Sequence, residues 1–227
     1  SVKSFLSSGT NTRALTFGTG SSIECPVGSV TCADFQTSGN LTITGTFYFK
    51  CTYTGATAIN GGTLKLGAAG DATNTPLGTV GSGTTVASGA TLDLNGYTLG
   101  TAEALTISGT GYSSAGALTN SSSTSATYSG LITLGANATI KASSGNIVLS
   151  NAGTIAGDTF TLTLDGTATA SSLASIVGTT TGGITKAGNG TWTLSGSSTY
   201  TGVTAVDGGT LKLGANGGAT NTPLGTT

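Results

Sequence analysis

The sequence predicts an all-β fold, a parallel β-helix (β-solenoid), and three observations carry that expectation. Residues 52–80 and 199–227 are near copies, the chain is rich in short apolar alternations, and its composition is neutral and β-branched. The copies read TYTGATAINGGTLKLGAAGDATNTPLGTV and TYTGVTAVDGGTLKLGANGGATNTPLGTT, 147 positions apart and identical at 23 of 29 places. Long internal repeats signal units that bury their apolar faces by stacking on their neighbours.

The rungs come next. Apolar residues two apart occur at Leu15/Phe17, Leu41/Ile43, Leu64/Leu66, Leu92/Leu94, Leu105/Ile107, Ile132/Leu134, Ile147/Leu149, Leu162/Leu164, Trp192/Leu194 and Leu211/Leu213. Period two marks a strand buried on one face. Successive pairs lie 26, 23, 28, 13, 27, 15, 15, 30 and 19 residues apart, clustering near one value and about half of it. An antiparallel sandwich would show turn signals every 8 to 12 residues or so, whereas a solenoid repeats at roughly 20 to 50. The long repeat decides for the solenoid. With inward Leu, Ile, Val and Trp, outward Thr, Ser and Lys, and Gly or Asn at the corners, about 20 to 25 residues per coil would build a rod roughly 45 to 55 Å long.

Composition removes several functional classes. The chain of 227 residues has net charge -1, only 7% charged residues, no His and no Met, while 39 Gly, 48 Thr and 27 Ser make up half of it. Seven basic residues spread from Lys3 to Lys212 cannot form the clustered cationic surface that nucleic acid requires. No apolar run approaches the roughly 18 residues of a spanning helix. The first residue is Ser1 and the second copy breaks off where the first runs on into GSGTTVASGATLDLNGYTL, so the expectation is a segment of a longer array.

The residues then carry a resemblance. ITKAGNGTWTLSGSSTYTGVTAVDGGTLKLG (184–214) resembles the autotransporter-associated β-strand repeat, or passenger-associated transport repeat, of bacterial surface proteins. Lys186, Gly188, Gly190, Thr191, Trp192, Leu194, Gly196, Tyr200, Gly202, Thr204, Gly209 and Leu211 meet its pattern. SGNLTITGT (38–46) opens a weaker copy, to which Tyr53, Gly55, Gly62, Leu64 and Leu66 belong, as Leu213 belongs to the stronger one. The resemblance implies a right-handed parallel β-helix in a secreted or cell-surface passenger region. It divides the chain into divergent N-terminal coils or a cap at 1–51 and a repeat-containing helix at 52–227, continuing beyond the C-terminus in the native protein.

Chemical candidates are few. Cys25 and Cys32 bracket PVGSVT and are a disulfide candidate in an oxidising compartment, with Cys51 left over or pairing with either as the rival. Three Cys without His or a C-x2-C spacing do not suggest a metal site. The eight acids, Glu24, Asp34, Asp71, Asp93, Glu103, Asp158, Asp165 and Asp207, are well separated, and Asp93, Asp165 and Asp207 lie in the turn sequences DLNG, LDG and VDGG. The copies exchange Asp207 for Asn60 and Asp71 for Gly218, so neither place demands a carboxylate. Without His no conventional base serves a Ser nucleophile, and GTGSS and GSGTT lack the G-K-[ST] of a phosphate loop. Phe47, Tyr48, Phe49 and Tyr53 read as core packing or an end cap.

Two functional classes remain. One is a structural or adhesive extracellular module, a projecting rod or a self-assembling filament or matrix subunit, with no enzymatic activity and no cofactor. Its expected partners are further copies of itself and a cell-surface or polysaccharide contact. The other is a carbohydrate-acting or carbohydrate-binding β-helix, which needs two acids, or an acid and a Lys, to converge on one lateral face; Asp93, Asp158, Asp165 and Lys141 are its test positions.

Overall fold

A computed structural model describes residues 41–47, 55–70 and 74–226, with side chains excepted for 41–47 and for Asn74. Cys25, Cys32, Cys51 and Tyr53, and with them the disulfide candidate, lie outside the described residues.

Parallel strands stack coil upon coil, as the repeat and the alternation predict. Each coil has up to three strand positions. The first holds the leading half of Thr57–Lys65, then Thr84–Val86, Leu105–Gly109 and the leading half of Ile132–Ala142, and continues through Thr154–Ile155 and Ile176–Val177. The second holds the trailing half of Thr57–Lys65, Ala90–Asp93, Leu118–Asn120, the trailing half of Ile132–Ala142, Leu162–Gly166, Ile184–Lys186 and Thr204–Val206. The third runs through Thr98–Leu99, Ala126–Tyr128, Ile147–Leu149, Ser171–Leu173, Thr191–Leu194 and Thr210–Leu213. Leu41–Phe47 pairs in parallel with Thr57–Lys65.

Register gives the coil length. Leu64, Leu92, Leu118, Ile140, Leu164, Lys186 and Val206 form one column, so 142 residues make six steps of about 24. Half-length spacings in the sequence are strands at different positions of neighbouring or identical coils, such as Ile132/Leu134 and Ile147/Leu149.

Inward columns of Leu, Ile, Val and Ala fill the interior and are almost wholly buried, from Ile59 to Leu194. Large residues are matched to small ones along the stack. Trp192 lies over Ser171 and under Leu211, and its indole N–H donates to the Asp165 carbonyl at 3.1 Å. Coil-to-coil contact is close enough to require glycine in places. Gly209 has φ +62 and a Cβ there would fall on the Gly190 carbonyl, while one at Gly202 would fall on the Gly182 carbonyl.

The repeat does not recur after a whole number of coils. Thr57–Ile59 of the first copy occupies the first strand position, whereas its counterpart Thr204–Val206 occupies the second. Six coils take 142 residues, so 147 residues correspond to six coils and 5 residues more, the offset from the first strand position to the second. In each copy NTPLGT forms a two-stranded antiparallel hairpin, Asn74–Thr75 with Gly78–Thr79 and Asn221–Thr222 with Gly225–Thr226, which breaks the otherwise parallel pattern.

Truncating a column residue should open a cavity between coils. Ile140→Ala is expected to lower stability by about 2–5 kcal/mol, against no more than about 0.5 kcal/mol for outward Thr193→Ser, as read from denaturant midpoints.

Candidate functional site

The corner that ends the second strand position brings charged side chains together. The outward register there runs Lys65, Asp93, Thr119, Lys141, Asp165 over successive coils. Asp93 and Asp165 therefore share one lateral face with Lys141, as a carbohydrate-acting helix would need; Asp158 lies apart, in the turn before Leu162–Gly166, with φ +42.

Spacing and partners show what this row does. Three rungs separate the two acids, about 14 Å at ~4.8 Å per rung, beyond the roughly 5 to 9.5 Å at which paired carboxyls share glycoside chemistry. Each is already engaged. Asp93 is buried, accepts from Asn95 N–H at 2.9 Å, Ser121 N–H at 3.0 Å and the Ser121 hydroxyl at 2.6 Å, and lies 3.6 Å from Lys65 Nζ. Asp165 accepts from its neighbour Gly166 N–H at 2.6 Å and lies 3.3 Å from Lys141 Nζ. Asp207 sits in the exposed turn between Thr204–Val206 and Thr210–Leu213. These acids hold corners.

Glu103 is the most fully enclosed acid among the described residues, and nothing in the pattern TAEALT announces it. Its side chain is inaccessible to solvent; Oε1 accepts from the Thr84 hydroxyl at 2.6 Å and Oε2 from the Thr75 hydroxyl at 2.8 Å. It thereby ties the Asn74–Thr79 hairpin to the next coil. Burial pushes its carboxyl up to about 7, against the downward pull of the Thr84 and Thr75 hydroxyls. The Tyr128 hydroxyl donates to the Glu103 backbone carbonyl at 2.7 Å; burial, and then the Glu103 charge, raise its pKa well above the usual value.

Lys186 is a buried cation. It stands in the column between Leu164 and Val206, where every earlier rung is Leu or Ile. Its stem fills the core position and its ammonium reaches the corner, donating to the carbonyls of Ala187, Gly188 (3.0 Å) and Gly208 (3.2 Å). Burial lowers its pKa, partly offset by Asp165.

The remaining motif residues pack the stack. Leu64, Leu66, Trp192, Leu194 and Tyr200 are buried, Leu211 is half-buried, and Leu213 is exposed. Tyr200 shares a 2.6 Å hydrogen bond with the Thr204 hydroxyl, and its carbonyl accepts from Thr226 N–H of the second hairpin at 3.0 Å. Gly55 precedes Thr57–Lys65, and Gly62, with φ +67, lies just after Asn60, the extra residue of the bulge inside that strand.

Elsewhere an open groove of about 780 Å³ runs between Ala69, Gly70, Val80, Thr98, Gly100, Thr101 and Ala102, with no titratable side chain in its lining. Among the described residues no group of three or more His, Cys, Asp or Glu could hold a metal ion, and no helix is long and apolar enough to cross a membrane.

Comparison with known families gives one match. The passenger-associated-transport-repeat model fits residues 38–66 and 184–213, so the chain carries this repeat twice. No curated protein and no solved structure matches it.

Two outcomes follow from the buried charges. With a folded pKa of about 7 and an ordinary value of 4.5, Glu103 binds its proton more tightly in the folded state, so its contribution is full below pH 4.5 and is lost as pH rises through about 7. Stability should fall across that window by roughly 3 kcal/mol at most, and Glu103→Gln should flatten the fall in a pH series of thermal unfolding. Lys186→Met keeps the column filled but strips three carbonyls of their donor, and should cost about 1–3 kcal/mol by denaturant unfolding.

Proposed function

We propose that this protein is a structural or adhesive extracellular module: a β-solenoid rod of the passenger type, secreted or displayed at a bacterial cell surface, whose role is the stack itself. The observation that carries this reading is the coupling of the passenger-associated transport repeat to about six stacked coils, in which the prominent polar groups serve corners and interior columns. A rod of this kind projects whatever it bears away from a surface. It contributes to a filament or matrix when copies meet end to end or side by side, favoured by a net charge of only -1.

Support for a non-catalytic role comes from the pairing in the charged row. Asp93 is engaged by Ser121, Asn95 and Lys65, and Asp165 by Gly166 and Lys141, so each carboxylate is already occupied in fastening its corner. The same row keeps a carbohydrate-binding reading in play, since it sets polar groups on one face at a regular rise. Binding to that face needs no catalysis.

The test is made on native cells and on the purified chain. Surface proteolysis and immunogold microscopy should find the protein outside the cell, the purified chain should turn over no polysaccharide, and sedimentation should show association that rises with concentration. A cytoplasmic location or a measurable glycan turnover contradicts the proposal.

A further inference from the structure

The Thr75 hydroxyl is claimed from three sides. It accepts from Leu77 N–H at 2.9 Å, faces the Gly78 carbonyl at 3.3 Å and faces Glu103 Oε2 at 2.8 Å. A hydroxyl has one hydrogen to give and two lone pairs to offer. The amide takes one lone pair and the Gly78 carbonyl can only accept, so an ionised Glu103 competes with that carbonyl for a single hydrogen. A proton on Oε2 removes the conflict. The neutral acid donates to Thr75, Thr75 donates to Gly78, and Oε1 still accepts from the Thr84 hydroxyl at 2.6 Å.

The second repeat copy shows where that hydroxyl hydrogen belongs. Thr222, the counterpart of Thr75, accepts from Leu224 N–H at 3.0 Å and donates to the Gly225 carbonyl at 3.1 Å, in a hairpin of the same register. It meets no carboxylate among the described residues. The carbonyl bond is therefore the hairpin's own brace, and at the first copy Glu103 has to bring a proton of its own. Its surroundings agree. Thr75 faces it from the hairpin, Thr84 from Thr84–Val86, and the Tyr128 hydroxyl, the one titratable group among these contacts, donates to its main-chain carbonyl at 2.7 Å. The ion pairs among the described residues, Lys65 with Asp93 and Lys141 with Asp165, bring no cation to it.

We infer that Glu103 is a proton-operated latch: as the neutral acid it fastens the Asn74–Thr79 hairpin to the stack, and on losing its proton it lets the hairpin open locally while the coils stay paired. Ionisation in the closed state encloses a carboxylate without a cation and takes the brace from the Gly78 carbonyl; opening returns the carboxylate to water. The hairpin's other side-chain tie is the Thr57 hydroxyl, which donates to the Leu77 carbonyl at 2.8 Å, and Leu77 itself is 1% exposed. The latch also stands at the groove. Val80 follows the hairpin directly, Thr101 and Ala102 precede Glu103 directly, and all three line it. Burial supports the same direction, since it holds the closed carboxyl at about 7 against an ordinary 4.5. The latch is thus full below about pH 4.5 and is lost as pH rises through about 7.

The test follows the Leu77 amide by hydrogen exchange in the full chain, because its bond to Thr75 is lost when the hairpin opens. Protection factors are compared, which removes the intrinsic pH dependence of exchange. From about pH 5 to about pH 8 the Leu77 protection factor should fall about tenfold or more and depend little on added urea, the mark of local opening, while that of Leu224 stays level. The carbon-13 resonance of the Glu103 carboxyl should titrate in step with it. In Glu103→Gln the side-chain amide donates to Thr75 and its carbonyl accepts from Thr84, so the hairpin should stay closed at both pH values. A Glu103 carboxylate already ionised at about pH 5 overturns the inference. So does Leu77 protection that is level across the range, that falls equally with Leu224, or that still falls in Glu103→Gln.

Discussion

The inner strands among the described residues pair in parallel with the coil above and the coil below, and the rest of the structure depends on that constraint. A parallel strand has no hairpin partner of its own, so a coil is complete only between two others. Once register is set, each inward side chain faces the residue one coil away at ~4.8 Å, and columns must be filled by residues whose volumes agree. Trp192 over Ser171 is such a match. Close stacking also accounts for the glycines at 202 and 209, where a side chain would collide with the coil beneath.

The same constraint explains where the charges go. A chain that places its corners one above another also stacks their polar residues, so Lys and Asp alternate in neighbouring coils and neutralise one another, as Lys65 with Asp93 and Lys141 with Asp165. Charges that fall inside are held by main-chain carbonyls or hydroxyls. Lys186 takes three carbonyls and Glu103 takes two threonine hydroxyls and joins a hairpin to a coil. Among the described residues Asp93 and Asp165 fasten turns through their carboxylates, and the two copies of the repeat exchange Asp207 for Asn60 and Asp71 for Gly218.

Much of the fold is legible in the sequence because strong columns alternate openly. Leu105/Ile107, Ile132/Leu134, Ile147/Leu149 and Trp192/Leu194 each sit in a strand with the expected side inward, and Leu92 does so with Leu94 buried just past the strand's end. Strands whose inward places are small, polar or single were not legible. Ser171/Leu173, Ala138/Ile140, Thr84/Val86 and Ile184/Lys186 hide the period of two, because a column can be closed by a large neighbour from the next coil, information that local pattern does not contain. The antiparallel NTPLGT hairpin was equally hidden, since its Pro-Leu-Gly turn reads the same at any corner. At the candidate site, Asp93, Lys141 and Asp165 could be nominated from residue type, but their shared face depends on a register set by unequal coil lengths. Glu103 gave no signal, as its burial arises from the hairpin folding over it.

Distances along one face test the central claim, that these residues form one continuous parallel stack. Thr98, Thr127, Val148, Ser172, Thr193 and Lys212 are successive outward rungs of the third strand position. Spin labels paired between Lys212 and, in turn, Ser172, Val148, Thr127 and Thr98 should report separations that grow by ~4.8 Å for each coil, from about 10 Å to about 24 Å. Separations that do not rise in step with the number of coils would contradict the stack.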